Sequence, residues 1–333
     1  MTVRLMRLGV AAALLAGGPA AADPVRLTLA NAFSTYDVRV AIWAGGINTE
    51  AAGVLEIVMH DSASVVGGDQ LKQLTQVRDG TVDIAVLVTN YHPAEFPIDD
   101  LAQLPGLFRN STEGSLTMWR LQQQGLLPGY GDFAVLALNT SANSTLHTEF
   151  SVRSLDRLRG AKIRVGSTVL TPLPEEFGAE PVFMPIADVR EGFVRGSVDG
   201  VITVPVALFS GTRIAEVARY HLAEPLGQFS VALIMNKDRY AGLSAAAKAV
   251  LAEHTGEALV RAWAMDVDAQ DQDSLDRLKA MPGHEVTRLS IREGKRWRSA
   301  IDTIIHSWIE LDPRRRLAYD AAMKVKVTLA VGR

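Results

Sequence analysis

The first third of the chain alternates between short apolar strands and amphipathic helices, and this alternation limits the fold more than any other feature. Strands are predicted at 24–31, 54–59 and 82–88, and helices at 36–51 and about 71–77. In the first helix the apolar residues recur every three or four positions, whereas the strands are short apolar runs. This succession predicts an α/β protein with a parallel sheet and helices on its faces.

Two short segments suggest a second unit of the same kind. Residues 77–83 and 194–199 both consist of a helix end, a glycine turn and a Val-Asp strand. Such turns are common, so chance is one explanation and two similar lobes that face each other is the other. The polar stretch 140–153 has the composition of a crossing between lobes. The apolar strand 229–236 is predicted to return to the first lobe.

Helical periodicity is strongest near the end of the chain. One long helix is predicted from about 244 to about 278. Ser290 and Glu293 have the pattern of a capping box before another helix, whose apolar stripe includes Trp297 and Trp308.

Three other local features complete the helical prediction. Pro172 and Pro174 are predicted to prevent a helix, whereas 207–218 is predicted to form one. The acidic residues of the long helix are interpreted as a solvated face, because no glycine-containing calcium loop accompanies them. They are Asp266, Asp268, Asp271 and Asp273.

The stretch 160–166 is a short strand with a cation in its middle. Because side chains alternate along a strand, Arg164 points away from the face that Ile163 and Val165 bury. An exposed surface position is the commoner outcome for an arginine. However, another apolar strand follows at 198–202, and ligands of open α/β sheets sit at the carboxyl ends of such strands. Arg164 is therefore the candidate ligand anchor.

The first 22 residues have the three-part pattern of a secretory signal peptide. Arg4 and Arg7 precede an apolar run at 8–16, and three alanines follow at 20–22. We expect cleavage after Ala22 and a periplasmic location. The apolar run is too short to span a bilayer, and no later segment approaches that length.

Composition narrows the chemistry and the partners. The 333 residues are 48% hydrophobic and 21% charged, as in a globular protein. Without residues 1–22, the chain has 32 basic and 37 acidic groups, a net charge of −5 that argues against nucleic acid as a partner. The chain has no cysteine, which excludes a thiolate nucleophile and cysteine-bound zinc. We expect no cofactor, no metal site and no catalytic residues.

Six short motifs occur in an order that resembles one known family. They are DGTVDIA at 79–85, LPGLF at 104–108, LRGAKIRV at 158–165, GAEPVFMP at 178–185, VDG at 198–200 and MNK at 235–237. The set is similar to the periplasmic solute-binding subunit of tripartite ATP-independent periplasmic (TRAP) transporters, the DctP-like family. The similarity covers nearly the whole mature chain, and the order of the motifs is more specific than any one of them.

The resemblance implies the two-lobed α/β fold of periplasmic binding proteins, each lobe a mainly parallel sheet flanked by helices, with a long helix spanning both. Lobe 1 would then comprise 23–141 and 229–269, and lobe 2 would comprise 142–228 and 270–333. Such a protein closes on an organic acid by hinge bending and delivers it to small and large membrane permease subunits. We expect it to be a monomer.

The same resemblance implies how the ligand is held. The position matching Arg164 binds the ligand carboxylate, and a guanidinium suits this role because its planar fork of donors matches two carboxylate oxygens. In sialic-acid-binding members, a ligand-contacting Asn matches Asn31, and another Asn falls at Thr203.

Departures from those members point to a different ligand. Val88, which precedes Thr89, stands where those members have a Glu. Ser144 replaces their second Arg, and Ile186 replaces their aromatic residue. The hydroxyls of a bound sugar acid would lack hydrogen-bond partners in this pocket, and each buried, unpaired hydroxyl would cost ~1–3 kcal/mol of binding free energy. We therefore expect a smaller or more apolar monocarboxylate, aliphatic or aromatic. The candidate aromatic walls, each equally able to lie in the core, are Phe33, Tyr36, Tyr91 and Phe209.

Two other functions remain open. A binding protein of the same fold can serve a signalling receptor, and the sequence does not separate that role from transport. An exported hydrolase would need a nucleophile elbow, a His-Glu-x-x-His helix or paired carboxylates. His284-Glu285 lacks the second histidine, and Ser197 is misplaced for Gly-x-Ser-x-Gly. We therefore expect no enzymatic activity.

Overall fold

The structure, a computed structural model, describes residues 24–31, 37–51, 53–60 and 70–331. The predicted signal peptide and its cleavage site lie outside this part of the chain, as do Phe33 and Tyr36.

Strands and helices follow one another along most of the chain. The strands are β1 (Val25–Asn31), β2 (Leu55–His60), β3 (Ile84–Val88), β4 (Phe133–Thr140), β5 (Thr145–Thr148), β6 (Lys162–Val165), β7 (Glu180–Phe183), β8 (Gly200–Thr203), β9 (Tyr220–Leu222), β10 (Ser230–Asn236) and β11 (Glu285–Thr287). The helices are α1 (Asp37–Glu50), α2 (Gln73–Asp79), α3 (Ser111–Gln123), α4 (Pro172–Glu176), α5 (Val189–Val194), α6 (Lys237–Ala241), α7 (Ala245–Glu253), α8 (Glu257–Ala280), α9 (Ile291–Glu310) and α10 (Pro313–Ala330). None of these helices has both the length and the apolar character needed to cross a bilayer.

The first sheet has the strand order β2-β1-β3-β10-β4. β1 pairs in parallel with β2 and β3, as the strand and helix pattern predicts. β10 lies antiparallel between β3 and β4, which confirms that the strand predicted at 229–236 returns to the first lobe. The apolar residues of this first sheet form one continuous core with those of α1 and α3.

The second sheet has the strand order β11-β9-β5-β8-β6-β7. β6 pairs in parallel with β7 and β8, whereas β5 is antiparallel to both of its neighbours. One face packs on a core that contains Ile163 and Trp297, and the other on a core that contains Val201 and Leu278. The two-lobed α/β fold is confirmed, although both sheets are mixed because a reversed strand is inserted in each.

A long helix joins the two lobes. Trp263 of α8 packs in the core of the first sheet, and Leu278 of the same helix packs in a core of the second. The prediction of an unbroken helix from residue 244 was wrong. α7 ends at Glu253, and Gly256 has φ +79°, a left-handed conformation that glycine adopts without strain.

Two local predictions were also wrong. The two prolines do not prevent a helix, since α4 begins at Pro172. Proline is tolerated there because the backbone N–H groups of a helix's first turn form no hydrogen bond within the helix. The segment predicted as a helix at 207–218 contains two separate 3₁₀ turns, Pro205–Leu208 and Ile214–Glu216. The polar stretch 140–153 does cross between the lobes, as predicted, because β4 of the first sheet ends at Thr140 and β5 of the second begins at Thr145. The four residues of β5 are all buried. The predicted cap of α9 is also confirmed, since Ser290 Oγ accepts from the Glu293 backbone N–H.

Candidate functional site

Arg164 lies near the end of β6, inside the second sheet. Its backbone is in register with Val182 of β7 and Val201 of β8. Ile163 and Val165 are buried in the core on the other face of the sheet, as strand alternation requires. Arg164 itself is only 8% exposed, so it is not an ordinary surface arginine.

Backbone carbonyls hold the guanidinium of Arg164. Its Nε donates to the carbonyl oxygen of Met184 at 2.9 Å, and its Nη1 donates to that of Ile202 at 3.4 Å. A guanidinium has five N–H groups, so these two bonds leave three for a further acceptor. No carboxylate of the described residues forms an ion pair with it within 4.0 Å.

Electrostatics makes this position suitable for an anion. Burial lowers the pKa of Arg164, and the nearby Tyr91 opposes that effect. A desolvated cation is costly unless a charged or hydrogen-bonding partner compensates it. An incoming carboxylate would supply such a partner through charge-assisted hydrogen bonds.

Tyr91 links the first lobe to Arg164. It ends the 3₁₀ turn Thr89–Tyr91 that follows β3, whereas Arg164 belongs to the second sheet. Desolvation raises the pKa of the Tyr91 hydroxyl and Arg164 lowers it, although 40% of the residue's surface remains open to water. The two side chains therefore lie near enough for each to shift the pKa of the other.

The other first-lobe candidates are buried beside this turn. Asn31 ends β1 and is 3% exposed, and Val88 ends β3 within the first core. The Thr89 hydroxyl donates to Asp99 Oδ2 at 2.5 Å, and Tyr130 donates to the same oxygen at 2.5 Å. The structure thus engages Thr89 in a buried polar cluster, and the ligand contacts of these residues stay predictions.

Asp99 was not found by sequence reasoning. It is fully buried, and burial raises the pKa of its carboxyl to about 7, although hydrogen bonds from Thr89 and Tyr130 act in the opposite direction. No sequence signal joins these residues, since the three hydrogen-bonded groups come from separate segments.

On the second lobe, Thr203 and Ile186 lie close to the groups that hold Arg164. Thr203 directly follows Ile202, whose carbonyl accepts from Arg164, and it is 6% exposed at the end of β8. Ile186 is half-buried two residues after Met184, the other acceptor. The structure therefore brings these two candidates to the end of the strands that flank the anchor.

Phe209 lies further from this group of contacts. The guanidinium of Arg277, in α8, lies over the Phe209 ring at 4.0 Å from the ring centre. Phe209 also packs against the core that contains Val201. One face of the ring is thus covered by the long helix. Its role as a pocket wall stays a prediction.

The acidic residues of α8 are not all solvated. Asp266 and Asp273 are exposed, but Asp268 reaches the start of α3 and accepts from the backbone N–H groups of Ser111 (2.7 Å) and Thr112 (3.1 Å). The interpretation of the whole set as a solvated face was wrong for Asp268, which caps a neighbouring helix.

Comparison with known proteins identifies the family. The family model for bacterial extracellular solute-binding protein, family 7 (DctP), matches residues 30–311. The chain belongs to this family.

Two curated relatives match part of the chain. The outer membrane transporter protein TsaT of Comamonas testosteroni is 26% identical over 57% of this chain and 58% of its own length. The 2,3-diketo-L-gulonate-binding periplasmic protein YiaO of Escherichia coli K12 is 23% identical over 53% of this chain and 55% of its own length. The chain therefore spans just over half the length of the curated relatives it matches.

Solved structures of TRAP solute-binding proteins share the fold of this protein over nearly the whole chain. A TRAP periplasmic solute-binding protein from Desulfovibrio salexigens, in an open complex, has a TM-score of 0.81 and 24% identity, over 91% of this chain and 96% of that one. A marine metagenome TRAP protein specific for aromatic acids, bound to 3-hydroxybenzoate, has a TM-score of 0.83 and 23% identity, over 92% and 99%. A Rhodoferax ferrireducens TRAP protein bound to benzoate has a TM-score of 0.81 and 20% identity, over 91% and 98%.

Proposed function

We propose that this protein captures a small organic monocarboxylate between its lobes, through Arg164, and delivers it to the small and large membrane permease subunits of a TRAP transporter. The observation that carries the proposal is the state of Arg164. It is 8% exposed, and its hydrogen bonds within the described residues go to two backbone carbonyls, which leaves three of its five N–H groups for an acceptor. The protein binds the acid and releases it unchanged.

The surroundings of Arg164 favour an apolar monocarboxylate over a sugar acid. Val88 and Ile186 offer no hydrogen bonds from their side chains, and the Thr89 hydroxyl already donates to Asp99. Each ligand hydroxyl left unpaired on burial would cost ~1–3 kcal/mol. Proteins of similar fold bind 3-hydroxybenzoate, benzoate and mandelate, which supports an aromatic acid here.

Location and partners follow from the proposed transport role. Residues 1–22 would act as a signal peptide that directs export and is cleaved after Ala22. The mature protein would act in the periplasm as a monomer. The family is extracellular and solute-binding, which supports this location. Contact with the permease would occur after the lobes have closed.

A thermal-shift screen of organic acids tests the proposal. The panel contains benzoate, 3-hydroxybenzoate, mandelate, pyroglutamate and malate, with benzyl alcohol as a neutral control. At a hundredfold excess over Kd, a ligand stabilises the folded state by about 2.7 kcal/mol. With an unfolding entropy of about 2.1 cal/mol/K per residue, this corresponds to a rise in Tm of about 4 °C for a chain of this size.

Two variants make the screen decisive. Arg164→Gln should lose the shift, whereas Arg314→Gln, which removes an exposed arginine of α10 paired with Asp312, should keep it. The acid recovered after incubation should be unchanged by NMR. A shift that survives in Arg164→Gln, or conversion of the acid, would contradict the proposal.

A further inference from the structure

Three histidines from distant parts of the sequence form a hydrogen-bonded row in the second lobe. His147 Nδ1 lies 2.9 Å from His221 Nδ1, and His221 Nε2 lies 3.0 Å from His284 Nδ1. His147 is 0% exposed and His221 is 1% exposed, whereas His284 is only half-buried. The row therefore runs from a residue that water can reach into the interior of the lobe.

The inner end of the row fixes the position of every proton. His147 Nε2 lies 3.3 Å from the carbonyl oxygen of Thr203, which can only accept, and 3.0 Å from the Thr145 hydroxyl. We therefore assign the hydrogen to Nε2, which makes Nδ1 of the neutral His147 an acceptor. His221 must then donate from Nδ1 and accept at Nε2, so that His284 donates from Nδ1. The outer Nε2 of His284 is left as the base.

One added proton can pass along this row without breaking a hydrogen bond. A proton from water binds His284 Nε2, and the hydrogen on His284 Nδ1 moves to His221 Nε2. The hydrogen on His221 Nδ1 then moves to His147 Nδ1. The row has gained one proton and one positive charge, which now lies on His147. A second proton would place two N–H groups against each other, so the row holds one.

The inner end of the row lies on the same rung of the sheet as Arg164. His147 of β5 and Arg164 of β6 are both in register with Val201 of β8, so all three side chains project from one face. Their strands are two positions apart, which places the two residues about 10 Å from each other. They also donate to consecutive carbonyls of β8, Arg164 to Ile202 and His147 to Thr203.

Burial keeps the row neutral at pH 7. It lowers the pKa of His147 well below its usual range, with a further contribution from His221, and it lowers that of His221 to about 4, with a further contribution from His284. Burial and Arg219 also lower the pKa of His284. A proton that enters the row without a ligand present is therefore held at His284, the outer end, and the charge reaches His147 only after the transfers described above.

Other charged groups surround the row on the elements packed against it. Glu285, next to His284, is paired with Arg153, and the last turns of α8 contribute Arg277 and Lys279. Arg277 lies over Phe209 and Lys279 pairs with Asp276. Arg164 is thus the cation that shares the rung of His147.

We propose that His147, His221 and His284 form a relay for a single proton, and that the relay gains this proton when the positive charge of Arg164 is neutralised. In the proposed function, on which this part of the inference rests, the bound carboxylate neutralises that charge. Acid capture would then be accompanied by uptake of a proton that moves from His284 towards His147.

The first test reads the tautomers of the ligand-free protein. Long-range ¹H–¹⁵N correlation of the imidazole rings at about pH 8 should show Nε2–H for His147, Nδ1–H for His221 and Nδ1–H for His284. Single His→Gln variants assign the signals, and the exposed His306 serves as an unrestrained reference. Any other tautomer at His147 or His221 would overturn the relay.

The second test changes the charge at Arg164 without a ligand. At an effective dielectric constant of about 20, loss of a unit charge about 10 Å away shifts a pKa by about one unit. The titration midpoint of the row should therefore rise by about one pH unit in Arg164→Gln and stay in place in Arg314→Gln. An unchanged midpoint in a folded Arg164→Gln would overturn the coupling. Because neither test uses a ligand, failure of the relay leaves the proposed transport function standing, and failure to bind any acid leaves the relay standing.

Discussion

Replacement of Arg164 by Gln should remove ligand binding while it preserves the fold. Within the part of the chain that the structure describes, three N–H groups of the guanidinium remain for an acceptor, enough for two bonds to one carboxylate. Charge-assisted hydrogen bonds contribute about 1.5–3 kcal/mol each. Loss of two would therefore weaken binding by about 3–6 kcal/mol, or roughly 10²- to 10⁴-fold in Kd.

The unliganded protein should tolerate the same change. Gln keeps an amide that can donate to the carbonyl of Met184 or Ile202, and it removes a cation whose pKa is lowered by burial. One carbonyl loses its donor, at about 1–3 kcal/mol, and the relief of the desolvated charge offsets part of that cost. We expect a change of Tm of no more than about 4 °C.

Isothermal titration calorimetry measures the effect directly. The titrant is the acid that gives the largest thermal shift with the wild-type protein. Arg164→Lys keeps the charge but loses the planar fork, so it should bind with an affinity between those of the wild type and Arg164→Gln. If a folded Arg164→Gln binds the acid within about threefold of the wild-type Kd, a difference of only about 0.7 kcal/mol, the assignment of Arg164 as anchor is refuted.

Three further changes test the account of stability by urea unfolding. Burial raises the pKa of Asp99 to about 7, so its contribution to stability is present below about pH 4 and is lost as the pH rises through 7. Asp99→Asn should therefore gain stability relative to the wild type between about pH 5 and pH 8, and a constant difference across that range would contradict this. Gly227 has φ +94°, and a Cβ there would overlap the carbonyl oxygen of Gln103, so Gly227→Ala should cost at least about 3 kcal/mol. Gly211→Ala, with open space around its Cβ, should cost less than about 1 kcal/mol. Asp268→Ala removes the acceptor of the first two backbone N–H groups of α3, while Asn110 keeps its own cap on the Glu113 N–H, and the change should cost about 1–2 kcal/mol. A loss below about 0.3 kcal/mol would mean that the bonds to Asp268 contribute little.

Much of the fold could be predicted because its signals are local. Strands β1, β2 and β3 and helices α1 and α2 follow from the spacing of apolar residues, and the strand predicted at 229–236 is β10. Predictions failed where tertiary contacts override the local pattern. β5 is largely polar in sequence, yet its four residues are buried. His147 tolerates burial there because it forms hydrogen bonds with His221 and the Thr203 carbonyl.

In the candidate site, the sequence predicted the position of Arg164 best. The alternation of Ile163, Arg164 and Val165 placed the guanidinium on the opposite face from the core, and the structure has it there. Asp99, Tyr130 and the three histidines were missed because their partners lie 10 to 74 residues away, in separate segments of the chain. No periodicity in the sequence records such contacts.

A crystal structure of the protein grown with the best-binding acid would show whether Arg164 holds the ligand carboxylate. We predict both carboxylate oxygens within about 3 Å of the two Nη atoms of Arg164, since Nε is occupied by the Met184 carbonyl. The rest of the ligand should lie between the lobes, on the side of Tyr91. An acid bound elsewhere, with Arg164 contacting only Met184 and Ile202, would contradict the account.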